Sequence, residues 1–435
     1  MNPSSPPVTL RQLFNFFIPM GISVLLINMS HVIINGTLAR SHSAAQETII
    51  AGYALGMSLL TVSERPTVLL RQTCSALVRD RVSFRAVARV AAFVFGGGLL
   101  FGLMVAATPV GEWIFGGAFG AEPDVERQAQ QAYIALMFLS VFSGLRCLYQ
   151  GIIIYKMRTR WLTIGMVFRL AGMFALSQYF LFIGVRSALQ GAAIFLFGMI
   201  IEAAISWLEA RKLLRDMPEK DEACEVERPK HVLRFYSPLL YSAVIVVWVS
   251  PIVNALLGTT EKSSLTIASF AVAGSLMNLM LGFFTYFHQI ALQFVKTDPA
   301  IVRKFTLMLG FTPTMLMLVM CFTPVGSWMF SHVLGVKDEL LDACIDALRG
   351  FLPFVFIFPW LDTLNGIVMA NGETKLMFGS QLANALATVS LIVLLTIALP
   401  DRHGVLGSLA QSGGVVAELL TLFWLFQRNR RFAKT

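Results

Sequence analysis

A chain of 435 residues that is 56% hydrophobic and only 14% charged, with a mean hydropathy of +0.70, is too apolar to be a water-soluble domain. The net charge of +9 does not point to nucleic acid, because the basic residues fall in short loops between apolar runs and form no amphipathic basic face. The chain reads as a polytopic membrane protein.

About twelve runs reach the roughly 20 residues needed to cross a hydrocarbon core. They are read at 12–37, 47–78, 86–108, 130–155, 161–184, 188–211, 232–257, 264–295, 301–330, 344–370, 375–399 and 404–427. These runs are too long for barrel strands, so the expected fold is an all-α bundle. No basic stretch precedes a short apolar core at the N-terminus, and the first run is expected to be a spanning helix rather than a cleaved signal.

With the N-terminus cytoplasmic, about 23 of the 34 Lys and Arg fall on the inner side, the usual bias. The inner clusters are Arg79, Arg81 and Arg85; Lys156, Arg158 and Arg160; Arg211 to Arg234; Lys296, Arg303 and Lys304; and Arg428 to Lys434. Both termini are therefore expected in the cytoplasm, with the protein in the inner cell membrane. Cys74, Cys147, Cys224, Cys321 and Cys344 form no CxxC pair and read as free, mostly buried thiols.

The one long polar stretch, Met217 to Lys230, separates two halves of six helices. The expected division is an N-lobe at 1–212, a linker at 213–230 and a C-lobe at 231–435. The halves repeat each other: TPVGEWIF at Thr108–Phe115 recurs as TPVGSWMF at Thr323–Phe330. The same offset pairs Gln150-Gly151-Ile152 with Asn365-Gly366-Ile367, and MRTRW after the fourth helix with GETKL after the tenth. Offsets one to four residues longer pair Pro19 with Pro238, Asn35 with Asn254, Arg71 with His288, Gly198 with Gly414 and Glu202 with Glu418. Six helices per half make the repeat parallel, and folds of this kind place their ligand in a central cleft between lobes.

Charge within an apolar run is costly and usually turned inward. Counting at 1.5 Å per residue, Arg71 lies about 12 Å from Arg79, Arg146 about 15 Å from Lys156, and Arg169 about 13 Å from Arg160. Three arginines on helices two, four and five thus share one depth. Guanidinium forks suit carboxylates and phosphates, so the three read as an anion clamp. The competing reading pairs each arginine with Glu64, Glu202 or Asp362. Glu202 and Glu418 are candidates for carrying a coupling proton; Asp362, opposite Cys147 in the repeat, is a one-lobe candidate for coupling or gating. Gln150, His288, Asn35, Asn254 and Asn365 complete the substrate-facing candidates, with interhelical hydrogen bonding as their alternative role. Glu64 and Arg65, beside Pro66, read as a local ion pair or gate. The GxxxG of Gly98–Gly102 reads as a helix-packing motif.

No HExxH, GxSxG, P-loop or paired CxxC is present, so neither an enzyme, a metal site nor a cofactor is expected.

LFNFFIPMGI at the start, SPIVNALLG in helix seven, HVLGVKDELLDACIDALRGFLPF leading into helix ten, and the placement of Pro66 and Arg71 resemble the progressive ankylosis (ANK) family of transporters, from about Leu10 to Phe426. That resemblance implies a fold similar to the multidrug/oligosaccharidyl-lipid/polysaccharide exporter superfamily, a basic residue kept at the Arg71 position, and efflux of anions such as pyrophosphate, ATP and citrate. The chain departs from animal members in its missing acidic tail, which fits a bacterial homologue, and in Arg65. The expected function is export of small multivalent anions by alternating access in a monomer, with a proton or sodium ion as the coupling ion. The alternatives are a lipid-linked pyrophosphate flippase and a cation-coupled multidrug antiporter.

Overall fold

The computed structural model describes residues 8–40, 46–119, 122–257, 260, 263–333, 338–399 and 405–432. Among them every regular element is helical, and ten helices are long and apolar enough to cross a membrane. The described chain forms two compact units.

The N-unit, Ile22–Tyr236, holds the later part of α1 (Leu10–Leu38), α2 (Gln46–Val68), α3 (Leu70–Leu77), α4 (Arg81–Ala107), α5 (Val110–Glu112), a π-helical turn at Trp113–Ala118, α6 (Pro123–Tyr155), α7 (Arg160–Ile183), α8 (Ala188–Arg215) and the start of α9 (Pro229–Leu257). The C-unit, Met1–Gly21 with Ser237–Thr435, holds the rest of α1 and α9, then α10 (Ser263–Gly282), α11 (Phe287–Phe294), α12 (Pro299–Gly310), α13 (Thr312–Phe322), α14 (Pro324–Trp328), a π-helical turn at Met329–Val333, α15 (Asp338–Gly350), α16 (Leu352–Ala370), α17 (Lys375–Ala398) and α18 (Leu406–Phe432).

Both edges of the units have a physical cause. The first turns of α1 join the C-unit because Phe14 meets Phe305, Phe16 meets Phe294, and Phe17 meets Phe283, Phe287 and Phe305, with ring centroids 5.1 to 5.6 Å apart. The polar stretch after α8 stays with the N-unit because Arg81 and Val82 donate their backbone N–H groups to Pro218 and Glu219. Asp80, which caps α4 through Ser83, also accepts the Asp221 N–H at 2.9 Å.

The repeated TPVG is a structural joint. Thr108 and Thr323 end α4 and α13, and each hydroxyl accepts the N–H two residues on, 3.3 Å away in both copies. A Cβ at Gly111 would stand 2.1 Å from the Val105 carbonyl oxygen, and one at Gly326 would stand 1.9 Å from that of Met320. Only glycine allows this backbone approach, and each joint runs into a π-helical turn. The MRTRW and GETKL segments likewise share one turn: Met157 and Gly372, 215 residues apart, both have positive φ, at 59° and 74°.

Each unit has its own apolar core, one around Phe115, Tyr133, Leu136, Met173 and Phe195, the other around Phe270, Met317, Phe330 and Phe351. Gly98 and Gly102 pack α4 on Ser140 and Met137 of α6, as a helix-packing motif should. Arg211 over Trp207 and Arg428 over Trp424, both 5.3 Å from the ring centroid, repeat one Arg–Trp pair at the basic ends of α8 and α18. The five cysteines are free and buried.

Four of the twelve runs are interrupted: 47–78 at Leu69 between α2 and α3, 264–295 at residues 283–286 between α10 and α11, 301–330 at Phe311 and Thr323 on either side of α13, and 344–370 at Phe351 between α15 and α16. The first break follows from Pro66, which has no N–H to give, and whose carbonyl oxygen accepts the Tyr236 hydroxyl at 2.8 Å instead of continuing the ladder.

Candidate functional site

In the N-unit five helices, α2, α3, α6, α7 and α8, contribute to one network centred on the Glu202 carboxylate. Arg146 Nη1 on α6 lies 3.3 Å from both Glu202 oxygens, Arg169 Nη1 on α7 lies 2.8 Å from Oε2, and Gln150 Nε2 donates to Oε1 at 2.9 Å. Arg146 Nη2 donates to Ser143 Oγ at 3.2 Å, and that hydroxyl donates to Glu64 Oε1 on α2. Cys147 Sγ lies 3.5 Å from Arg71 Nη2 and 3.7 Å from Arg146 Nη2, which joins α3 to the network. Three guanidiniums and two carboxylates thus meet in one network. Arg169 and Glu202 are each only 1% exposed, so water contributes little screening. Arg169 also lies over the Phe195 ring, at 5.1 Å, and its Nε and Nη2 are buried with no hydrogen-bond partner among the described residues.

The C-unit repeats the backbone and changes the charge. Gly151 of α6 packs on Arg71 and Cys74 of α3; Gly366 of α16 packs on His288 and Ala291 of α11. Arg71 and His288 are therefore equivalent in packing as well as in offset. His288 meets a carboxylate where Arg71 meets a thiol: its backbone N–H reaches Asp362 Oδ2 at 2.8 Å, and its Nδ1 lies 3.1 Å from both Asp362 oxygens. Gly198 packs on Arg169 and Met173 of α7, and Gly414 on Asn384 and Thr388 of α17. Asn384 therefore stands where Arg169 does, and its Nδ2 donates to Glu418 Oε2 at 2.6 Å while Gln381 Nε2 donates to Oε1. No cationic side chain pairs with Glu418 among the described residues.

Of the residues singled out in the sequence, Arg71, Arg146, Gln150, Arg169, Glu202 and Glu64 share one network, and His288 pairs with Asp362. Glu418 has a cage of its own. Asn35, Asn254 and Asn365 join neither network, the first two being exposed and the third half-buried. The Glu64–Arg65 ion pair is not formed: Glu64 takes the Ser143 hydroxyl, and Arg65 is exposed, one helical step away, on a different face of α2. The arginine pairing weighed against the clamp is present for Arg146 and Arg169, both on Glu202. Gln381, Asn384 and Cys147 were missed as partners. The signal was there for α17, since Gln381, Asn384 and Thr388 recur at helical spacing on an otherwise apolar run.

No family model matches the sequence, and neither does any curated protein. Solved structures do match the fold. A MOP superfamily transporter from Pyrococcus furiosus, described as having a binding pocket of reverse polarity that suggests a different function, is 17% identical with a TM-score of 0.74, covering 98% of this chain and 97% of that one. A multidrug resistance MATE family transporter of the MOP superfamily in an outward-facing conformation gives 16% and 0.74 over the same shares. A MATE structure in the bent conformation gives 16% and 0.74, over 98% and 96%. At such identities the likeness is one of fold, and the fold is MATE-like, with two lobes.

Proposed function

We propose that this multi-pass membrane protein exports small multivalent anions, such as citrate, other dicarboxylates, pyrophosphate or nucleotides, by alternating access. The observation that carries the reading is the convergence of two buried guanidiniums, Arg146 and Arg169, on the single Glu202 carboxylate, because a site for a cation would hold surplus acid instead. Within the MATE-like fold, the reading includes the likeness of the residues quoted above to the progressive ankylosis transporters. The reading includes the inner membrane, cytoplasmic termini and a monomer, with Arg71, Arg146 and Arg169 contacting the anion, His288 and the neighbouring amides assisting, and Glu418 or Asp362 serving a coupling proton or sodium ion.

A second reading, a cation-coupled multidrug antiporter, is favoured by one observation: Glu418 is a buried carboxylate held by amides alone. The matching folds include a multidrug resistance transporter. Flux in proteoliposomes decides. Arg71→Ala should cut efflux of pyrophosphate or citrate at least about tenfold with the thermal transition retained, about 1.4 kcal/mol of lost binding; unchanged flux contradicts the anion reading. Transport of a lipophilic cation in place of the anions supports the antiporter.

A further inference from the structure

The Glu202 carboxylate occupies a seat with more donors than a structural glutamate requires. Two arginine forks and an amide converge on its two oxygens, an arrangement suited to any carboxylate or phosphate. The C-unit shows what the fold needs in order to hold a glutamate here. Glu418, at the repeat position, is held by Gln381 and Asn384, while Leu361 and Asn384 stand where Arg146 and Arg169 do. Holding the glutamate therefore does not account for the arginines.

The seat also offers more donors than its occupant uses. Arg169 keeps two buried donor nitrogens, Nε and Nη2, that Glu202 leaves unmet, although a buried donor without a partner is costly. An anion with more oxygen atoms than one carboxylate could satisfy them. Around Glu202, Gly165 of α7 presents only backbone to the side-chain stem, its nearest Cβ position lying 3.5 Å from Glu202 Cγ. The charged groups acting on the carboxylate are Arg146 from α6, Arg169 from α7 and Arg71 from α3; Glu64 of α2 joins through Ser143, and His31 of α1, whose ring lies 5.6 Å from that of Phe195, neighbours Arg169 and Glu64.

We infer that Glu202 is a resident counter-ion occupying the anion seat formed by Arg146, Arg169 and Gln150, and that an incoming polyanion such as pyrophosphate takes the seat by displacing it. The inference rests on the anion-exporter reading and adds a gate to it. An empty seat would leave two buried guanidiniums without a counter-charge, so the glutamate holds the site between cargoes and the anion competes with it. Its affinity is lowered by the fraction of time that Glu202 is home.

The test is calorimetric binding of pyrophosphate to the purified full-length protein, with pyrophosphate flux measured in parallel. Glu202→Gln keeps the shape and removes the charge, and it should bind pyrophosphate at least about tenfold tighter than the wild type, about 1.4 kcal/mol. Adding Arg169→Met to that variant should abolish the gain, which nonspecific loosening would not do. If Glu202→Gln does not fold, Glu202→Asp, which withdraws the carboxylate by one methylene, should show a tighter constant than the wild type. Equal or weaker binding in the variant that folds overturns the inference. Tighter binding in a protein that moves no anion leaves the seat standing and removes the exporter reading; wild-type anion flux with no tightening in the variant does the reverse.

Discussion

Arg169 Nη1 lies 2.8 Å from Glu202 Oε2 with both side chains sealed from solvent, whereas Asn384, at the same place in the second half, meets Glu418 with an amide. Breaking a buried ion pair from one side costs about 3 to 5 kcal/mol, because the remaining charge stays buried. Glu202→Gln should therefore lower the thermal transition clearly, while Glu418→Gln, which uncovers no cation, should move it by less than about 1 kcal/mol equivalent. Combining Glu202→Gln with Arg169→Met should cost less than the two changes added together. Scanning fluorimetry on the wild type, the three single variants and the double variant checks this, and equal effects at the two glutamates would contradict the assignment of charge.

Gly111 and Gly326 let a helix end turn back under its own carbonyls. An alanine at either would place Cβ 2.1 or 1.9 Å from backbone oxygen, where no side chain can yield. Gly111→Ala and Gly326→Ala should each destabilise by more than about 2 kcal/mol and lower the yield of folded protein, measured by size-exclusion chromatography in detergent. The repeat that stands out most in the sequence thus specifies a joint and not a ligand.

Legibility followed the physics of each signal. Depth counting along apolar runs put Arg71, Arg146 and Arg169 at one level, and the network joins them, because helix rise is constant and the basic anchors fix the ends. The repeat offsets made Arg71 and His288 equivalent positions, and Gly151 and Gly366 pack on them alike. Which acid an arginine chooses depends on the rotation and crossing of helices, so the convergence of Arg146 and Arg169 on Glu202 was open. The break at Leu69 was hidden by the continuous apolar run, although Pro66 marked it. The membership of Leu10–Gly21 in the C-unit depends on ring packing with residues almost 300 positions away, for which one sequence carries no local mark.

Met157 holds the left-handed turn that Gly372 holds in the second half. A non-glycine residue there costs roughly 1 kcal/mol. Met157→Gly should raise the thermal transition by a comparable amount, and Gly372→Met should lower it. The pair of shifts, opposite in sign, can be read in one melting experiment.

Asp80 ties α4 to the polar stretch after α8. Burial alone would raise its carboxyl, but the N–H groups of Asp221 and Ser83 outweigh that and hold it below the ordinary carboxylate range. With the folded value depressed, this stabilisation is fully present above the unfolded value near pH ~4 and is lost as the pH falls through the folded one. Amide exchange at Ser83 and Asp221 should accelerate on acidification through that window. Asp80→Ala should abolish the pH dependence and cost about 1 kcal/mol at neutral pH.

The buried arginines are expected to select an anionic cargo. The most direct measurement is counterflow in proteoliposomes holding the wild-type protein, with labelled pyrophosphate and a labelled lipophilic cation followed side by side. The expected result is saturable pyrophosphate exchange that competing citrate suppresses, and no movement of the cation above protein-free vesicles. Saturable cation movement with no pyrophosphate exchange would contradict it.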